Sequence, residues 1–189
     1  MKILLAFFCL PLLVESPLLG QSPQGDRVPR LLEELSNASG PSGFEGPVRE
    51  IMVGELHALG IETSTDGLGS VIGVLAGSSE NPRIMLAAHM DEVGAIVRYI
   101  TPEGMVKFQP LGGWLDQALV DQRWIIMTNK GSVLALSGLR SVHLATPEER
   151  SRVTPRDEVF LDVGARSKEE AEAIGIRPGE GIVPSSSLR

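Results

Sequence analysis

Apolar residues first recur at helical spacing. Val28, Leu31, Leu32 and Leu35 lie three and four apart, Pro29 falls in the first turn, and Asp26 stands in the capping position, so a helix is predicted there. Ser36–Gly43 (SNASGPSG) reads as a polar loop. A second helix is predicted over Pro47–Leu59, with the stripe Val48, Ile51, Met52, Leu56 and Leu59 and Gly60 as its stop. His57 flanks that stripe and reads as a surface histidine. Ile61–Thr65, a turn at Asp66-Gly67, and Leu68–Leu75 read as a hairpin. After a turn at Asn81-Pro82, Ile84–Ala88 is apolar without alternation. Such a run fits a strand buried on both faces, although periodicity alone does not separate it from a buried helix.

The texture changes after Gly94. Ala95–Ile100, Met105–Gln109, Arg123–Thr128, Ser132–Ser137 and Glu158–Val163 read as short strands, with Gly-bearing turns at Thr101–Gly104 and Asn129–Gly131. Such spacing predicts a small β-barrel or sandwich. Thr146–Arg150 fits one helical turn. Ser167–Ile174 fits a short helix with a capping box from Ser167 to Glu170 and a stop at Gly175. Gly179–Pro184 either closes the barrel or returns the chain to its first part, and Ser185–Arg189 carries no structural pattern. The layout is an α/β part at 21–93 followed by an inserted β-rich part at 94–184. The first part, with two helices and three or four strands, would leave one face and one edge poorly covered.

Composition adds an N-terminal exception. Lys2, the apolar run Ile3–Val14 and Leu18-Leu19-Gly20 make residues 1–20 resemble a secretory signal peptide. Export would make the chain secreted or periplasmic; otherwise it is cytoplasmic. The run is short for a membrane span, so no stable membrane anchor is expected. Cys9, the single cysteine, lies inside it, and a cleaved chain would have neither disulfides nor thiol chemistry. The remaining balance is ordinary for a globular protein, with 42% hydrophobic and 22% charged residues. Net charge is −7 without a basic cluster, which disfavours nucleic acid as a partner.

The candidate chemistry sits in RIMLAAHMDEVGAIV, residues 83–97. Side chains alternate along a strand, so His89 and Asp91 point one way and Glu92 the other. A histidine with an aspartate two residues on can form a metal ligand and the carboxylate that orients its ring. His89 is the candidate metal ligand and Asp91 the candidate catalytic-site carboxylate. The alternative for the same spacing is a structural histidine satisfied by Asp91.

AAHMDEVGAIV at 87–97, GPSGFEGPVRE at 40–50, FQPLGGWLDQ at 108–117, TPEER at 146–150 and DVGARSKEEAEAIGIRPGE at 162–180 resemble, in order, the tetrahedral (TET) metallo-aminopeptidases. These form metallopeptidase family forty-two, with glutamyl and deblocking aminopeptidases and some members labelled endoglucanase. The resemblance implies a zinc-exopeptidase-like sheet domain interrupted by a PDZ-like β-barrel dimerisation domain. It implies two divalent metals, zinc or cobalt, peptide substrates, and homo-oligomers from dimers to dodecamers. His89 matches the first metal-ligand histidine and Asp91 the aspartate that orients it. Gly112-Gly113-Trp114 matches a loop of the inserted domain. His143 also falls inside that domain and is not a substitute ligand.

In the family the bridging aspartate, a Glu-Glu pair, a further acid and the last histidine follow the inserted domain, and the residues up to Arg189 contain none of them. The chain thus reads as an N-terminal part, residues 185–189 beginning a truncated return, from a natural truncation or a split reading frame. One histidine supplies one bond, and even a single catalytic zinc normally takes three protein ligands. This polypeptide alone is expected to bind metal weakly and to leave peptides uncut. The competing readings are a non-catalytic dimerisation or scaffold fragment and a glycosidase. A glycosidase needs paired carboxyl groups across a cleft, and Asp91 and Glu92 face apart.

Overall fold

A computed structural model of the chain describes residues 27–188 apart from 140 and 142. The export segment 1–20, Cys9 and the Asp26 cap lie outside the described residues. Among the described residues no helix is long and apolar enough to cross a membrane.

Helix α1 (Arg27–Asn37) and helix α2 (Gly46–Ala58) form where the apolar spacing predicts them. Pro47 occupies the first turn of α2, where its missing N–H has no intrahelical partner to lose. Val48 is its buried residue, Ile51, Met52 and Leu56 are half-buried, and Leu59 stays exposed. Gly60, at φ +73°, ends the helix in the left-handed region. His57 is exposed and meets Thr63 Oγ1 at 3.0 Å. Strands β1 (Thr63–Thr65) and β2 (Val71–Gly73) pair antiparallel as a two-stranded sheet. Asp66 acts as a turn residue: its Oδ1 accepts from the N–H groups of Leu68 and Ser70, each at 2.9 Å.

The two helices are joined electrostatically. Arg27 Nε donates to Glu55 Oε2 at 3.0 Å, and Arg30 Nη2 lies 3.5 Å from Oε1. The Arg27 hydrogen bond holds the Glu55 carboxyl below its ordinary value, against a smaller opposing push from desolvation. A lowered carboxyl pKa favours the ionised form in the folded state. Its contribution is therefore full above the unfolded glutamate value of about 4.3 and is lost as pH falls through the lower folded value. The protection factors of the α1 amides, with the intrinsic pH dependence of exchange divided out, are expected to fall on that acidification, and Glu55→Gln should lower them at neutral pH and flatten the pH response. An identical acid response in Glu55→Gln would disprove the assignment.

The buried strand predicted at Ile84–Ala88 is not observed. Residues 83–91 carry no ladder pairing apart from the bridge of Glu92 that follows, and Ile84, Met85 and Leu86 are 83%, 87% and 94% exposed. An apolar run becomes a strand only where another backbone takes up its N–H and C=O groups, and β1–β2 pairs only with itself.

Beyond residue 93 the chain closes on itself. Strands β3 (Gly94–Ile100), β4 (Val106–Leu111), β5 (Arg123–Thr128), β6 (Gly131–Gly138), β7 (Phe160–Asp162) and β8 (Gly181–Pro184) form a closed barrel in the order β3-β4-β7-β6-β5-β8. On β5, Trp124 and Ile126 point inward and are fully buried, while Arg123 is exposed. With Val97, Val106, Phe108, Leu161, Ile176 and Ile182 they make the core. Trp124 lies 6.0 Å from the Phe108 ring and 5.3 Å from the Trp114 ring. Strand β8 completes the closure by pairing with both β3 and β5.

Between the strands lie α3 (Pro147–Ser151) and α4 (Lys168–Ala173). The capping box expected at Ser167 is only half made. Ser167 Oγ accepts from Glu170 N–H at 3.2 Å, but the Glu170 carboxylate receives Arg166 N–H at 2.8 Å instead of reaching Ser167. Both reciprocal bonds form at Thr146 and Glu149 of α3. Residues 185–188 also depart from expectation, because Asn37 holds them. Its amide accepts from Leu188 N–H at 2.8 Å and donates to Leu188 O at 3.2 Å. An asparagine side chain carries one donor group and one acceptor, so it substitutes for a strand neighbour.

Candidate functional site

The local backbone does little to fix His89, so side chains do it. Its Nδ1 lies 2.9 Å from Asp91 Oδ1 and 2.9 Å from Asp91 O. A carboxylate oxygen and a carbonyl oxygen only accept, so Nδ1 carries the proton of the neutral ring. The Nε2 lone pair is then free, and the side chain is 85% exposed. The described residues give Nε2 no hydrogen bond.

Asp91 is anchored in turn. Ser42 Oγ donates a short hydrogen bond to Asp91 Oδ2. That bond is the main reason the Asp91 carboxyl sits below its ordinary value; desolvation opposes it and His89 adds to it. Asp91 is therefore ionised at neutral pH. Glu92 turns away from the pair. Gly40 N–H donates to Glu92 Oε1 at 3.1 Å, and Glu92 N–H donates to Gly40 O at 2.9 Å, beside a parallel bridge from Pro41 to Glu92.

The loop making these contacts is seated on the barrel. Pro41 is buried and lies against the start of β3: a Cβ on Gly94 would stand 2.6 Å from Pro41 Cβ and 2.5 Å from Ile182 O. Only glycine permits that approach. A Cβ on Gly181 would meet the Phe44 ring at 3.1 Å. Trp114 adds a tie, donating from Nε1 to Gly94 O at 2.9 Å.

The structure thus brings His89 and Asp91 together and sends Glu92 elsewhere. His143 lies in an exposed loop, where its N–H meets Ser141 Oγ at 3.3 Å. Ser42 was not distinguished by sequence, because Ser36–Gly43 reads as a polar loop and the contact spans 49 residues. Its one signal lay in the family-like stretch GPSGFE.

An exposed imidazole with its second nitrogen fixed by a carboxylate suits a divalent metal, since neutral imidazole is the ligating form and the carboxylate raises its basicity. Among the described residues no three His, Cys, Asp or Glu side chains converge to complete a site.

Comparison with known proteins gives the context. The family model of the M42 glutamyl aminopeptidases matches residues 69–189. The glutamyl aminopeptidase of Lactococcus lactis is 35% identical over 161 residues, covering 82% of this chain and 44% of that protein. A TET aminopeptidase from a marine sediment archaeon, Thaumarchaeota archaeon, superposes with a TM-score of 0.82 at 40% identity, over 87% of this chain and 46% of the other. The Pyrococcus horikoshii TET1 peptidase, which can assemble into a tetrahedron or a large octahedral shell, gives 0.74 at 31% identity, over 82% and 46%. The chain spans less than half the length of these relatives.

Proposed function

This chain belongs to the M42 glutamyl aminopeptidase family, and from that premise we propose that it supplies the first metal ligand and the barrel of a metal-dependent aminopeptidase. The observation that carries the reading is the His89 ring, whose Nδ1 faces two acceptors while Nε2 stands open to solvent. His89 Nε2 would hold one of two divalent ions, zinc or cobalt, and Asp91 would fix the ring without binding substrate. When bound, such ions polarise a peptide carbonyl and lower the pKa of water. The substrates are peptides, cut at their N-terminal bond.

Residues 21–93 are read as the opening part of the peptidase domain and 94–184 as its inserted, PDZ-like dimerisation domain. Homo-oligomerisation is supported by the assembly of the Pyrococcus horikoshii relative. It is also supported by Leu134 and Leu136, which stand outward on β6 at 58% and 53% exposure.

By themselves the 189 residues offer one clear ligand, and they are proposed to be inactive alone. In an assay with an aminoacyl chromogenic substrate and added Zn²⁺ or Co²⁺, the polypeptide should give no turnover. A chimaera joining residues 27–184 to the downstream part of the Lactococcus lactis enzyme should release N-terminal residues in a metal-dependent way. Turnover by the polypeptide alone would overturn the incomplete-site reading. A folded, metal-loaded chimaera without turnover would overturn the aminopeptidase reading.

The glycosidase reading loses both tryptophans as a sugar platform. Trp124 is fully buried in the core, and Trp114 packs against that core. Asp91 and Glu92 engage different partners and do not face one another across a cleft.

A further inference from the structure

We propose that Ser42 is a positioning residue for the metal-binding imidazole, acting through Asp91 to hold His89 in the tautomer that leaves Nε2 free. The proposal rests on the metal-ligand reading of His89 and extends it to a residue on a different element.

The argument begins with what residues 83–91 lack. They have no strand neighbour, so the backbone cannot set the direction of the Asp91 carboxylate. An aspartate at 37% side-chain exposure would otherwise sample several rotamers and present either oxygen, or neither, to its neighbour. Ser42 removes that freedom by taking Oδ2, which leaves Oδ1 directed at His89 Nδ1. The Asp91 carbonyl, also 2.9 Å from Nδ1, favours the Nδ1–H tautomer, and the oriented carboxylate strengthens that preference because only a donor nitrogen can satisfy it.

Ser42 holds this position because its loop does not float. Pro41 is wedged against Gly94, Phe44 lies over Gly181, Phe44 N–H closes onto Pro41 O at 2.8 Å, and Gly40 is bonded twice to Glu92. A continuous line of contacts therefore runs from β3 and β8 through Ser42 and Asp91 to the imidazole. The barrel reaches the ring through a serine hydroxyl.

The test uses the metal-free 189-residue chain carrying ¹⁵N-labelled histidine, in mildly alkaline buffer. Signals of His89 are assigned by their loss in His89→Gln. Wild-type His89 should show one protonated nitrogen, Nδ1, and one bare nitrogen, Nε2. In Ser42→Ala the two ring-nitrogen shifts should converge as the tautomers mix. Zn²⁺ affinity, titrated with the metal alone, should fall about three- to tenfold, below the 10–100-fold typical of a residue that touches the ligand directly.

Ser42→Thr and Ser42→Val are matched in shape and differ in the hydroxyl, so they decide the matter should the alanine variant fold poorly. Thr should restore both the tautomer and the affinity, and Val should not. Equal nitrogen shifts and equal Zn²⁺ affinity in the Thr and Val variants would overturn the proposal. The readouts involve no peptide. A chimaera that keeps the serine-dependent tautomer yet cuts no substrate would thus sink the aminopeptidase reading and leave this assignment supported.

Discussion

Replacing Trp124 by alanine is expected to unfold the barrel at temperatures where the parent is fully folded. The side chain has no solvent exposure and contacts both Phe108 and Trp114. Truncating a buried tryptophan costs about 3–5 kcal/mol through lost transfer energy and the cavity left behind. That is a large share of the roughly 5–15 kcal/mol that holds a domain together. Trp124→Phe should cost far less. Trp124 Nε1 is buried without a hydrogen-bond partner among the described residues, and phenylalanine removes that donor along with part of the ring. The two variants separate packing from polarity. Urea denaturation followed by far-UV circular dichroism measures both, and equal midpoints would refute the account.

His89→Ala should have the largest effect on activity. In the chimaera described above it would remove the proposed metal ligand. Metal assistance supplies several kcal/mol of charge stabilisation, and each 1.36 kcal/mol is a factor of ten, so turnover should fall by about three orders of magnitude. Asp91→Asn should fall less and retain residual metal binding, because the imidazole persists while its orienting charge is lost. Wild-type turnover in a metal-loaded His89→Ala chimaera would remove this residue from the reaction.

The barrel was legible where the chain alternates. Trp124 and Ile126 fall on one face of β5 with Arg123 on the other, and period-two strands bounded by turns at 101–104 and 129–131 predict such pairing. Closure was less legible. Gly181–Pro184 is short and its first three residues are buried, so its pattern shows no face, and only tertiary placement reveals that it pairs on both sides. At Ile84–Leu86 the sequence misled for a related reason: an apolar run reports a preference for burial and says nothing of whether a neighbour is present to provide it. The site was half legible. His89 and Asp91 are two residues apart, and the alternation of the expected strand would put them on one side; the structure pairs them at 2.9 Å without a strand there. Ser42 is 49 residues from its partner, and no local pattern encodes such a contact.

The seat beneath Ser42 has a consequence for biosynthesis. Phe44 rests on Gly181, a residue of β8, which follows the other barrel strands in chain order. At about 5–20 residues per second, the ribosome releases Pro184 roughly 5–20 seconds after His89. Throughout that interval the nascent imidazole swings without its scaffold, and its final aim is settled only when the end of the barrel arrives.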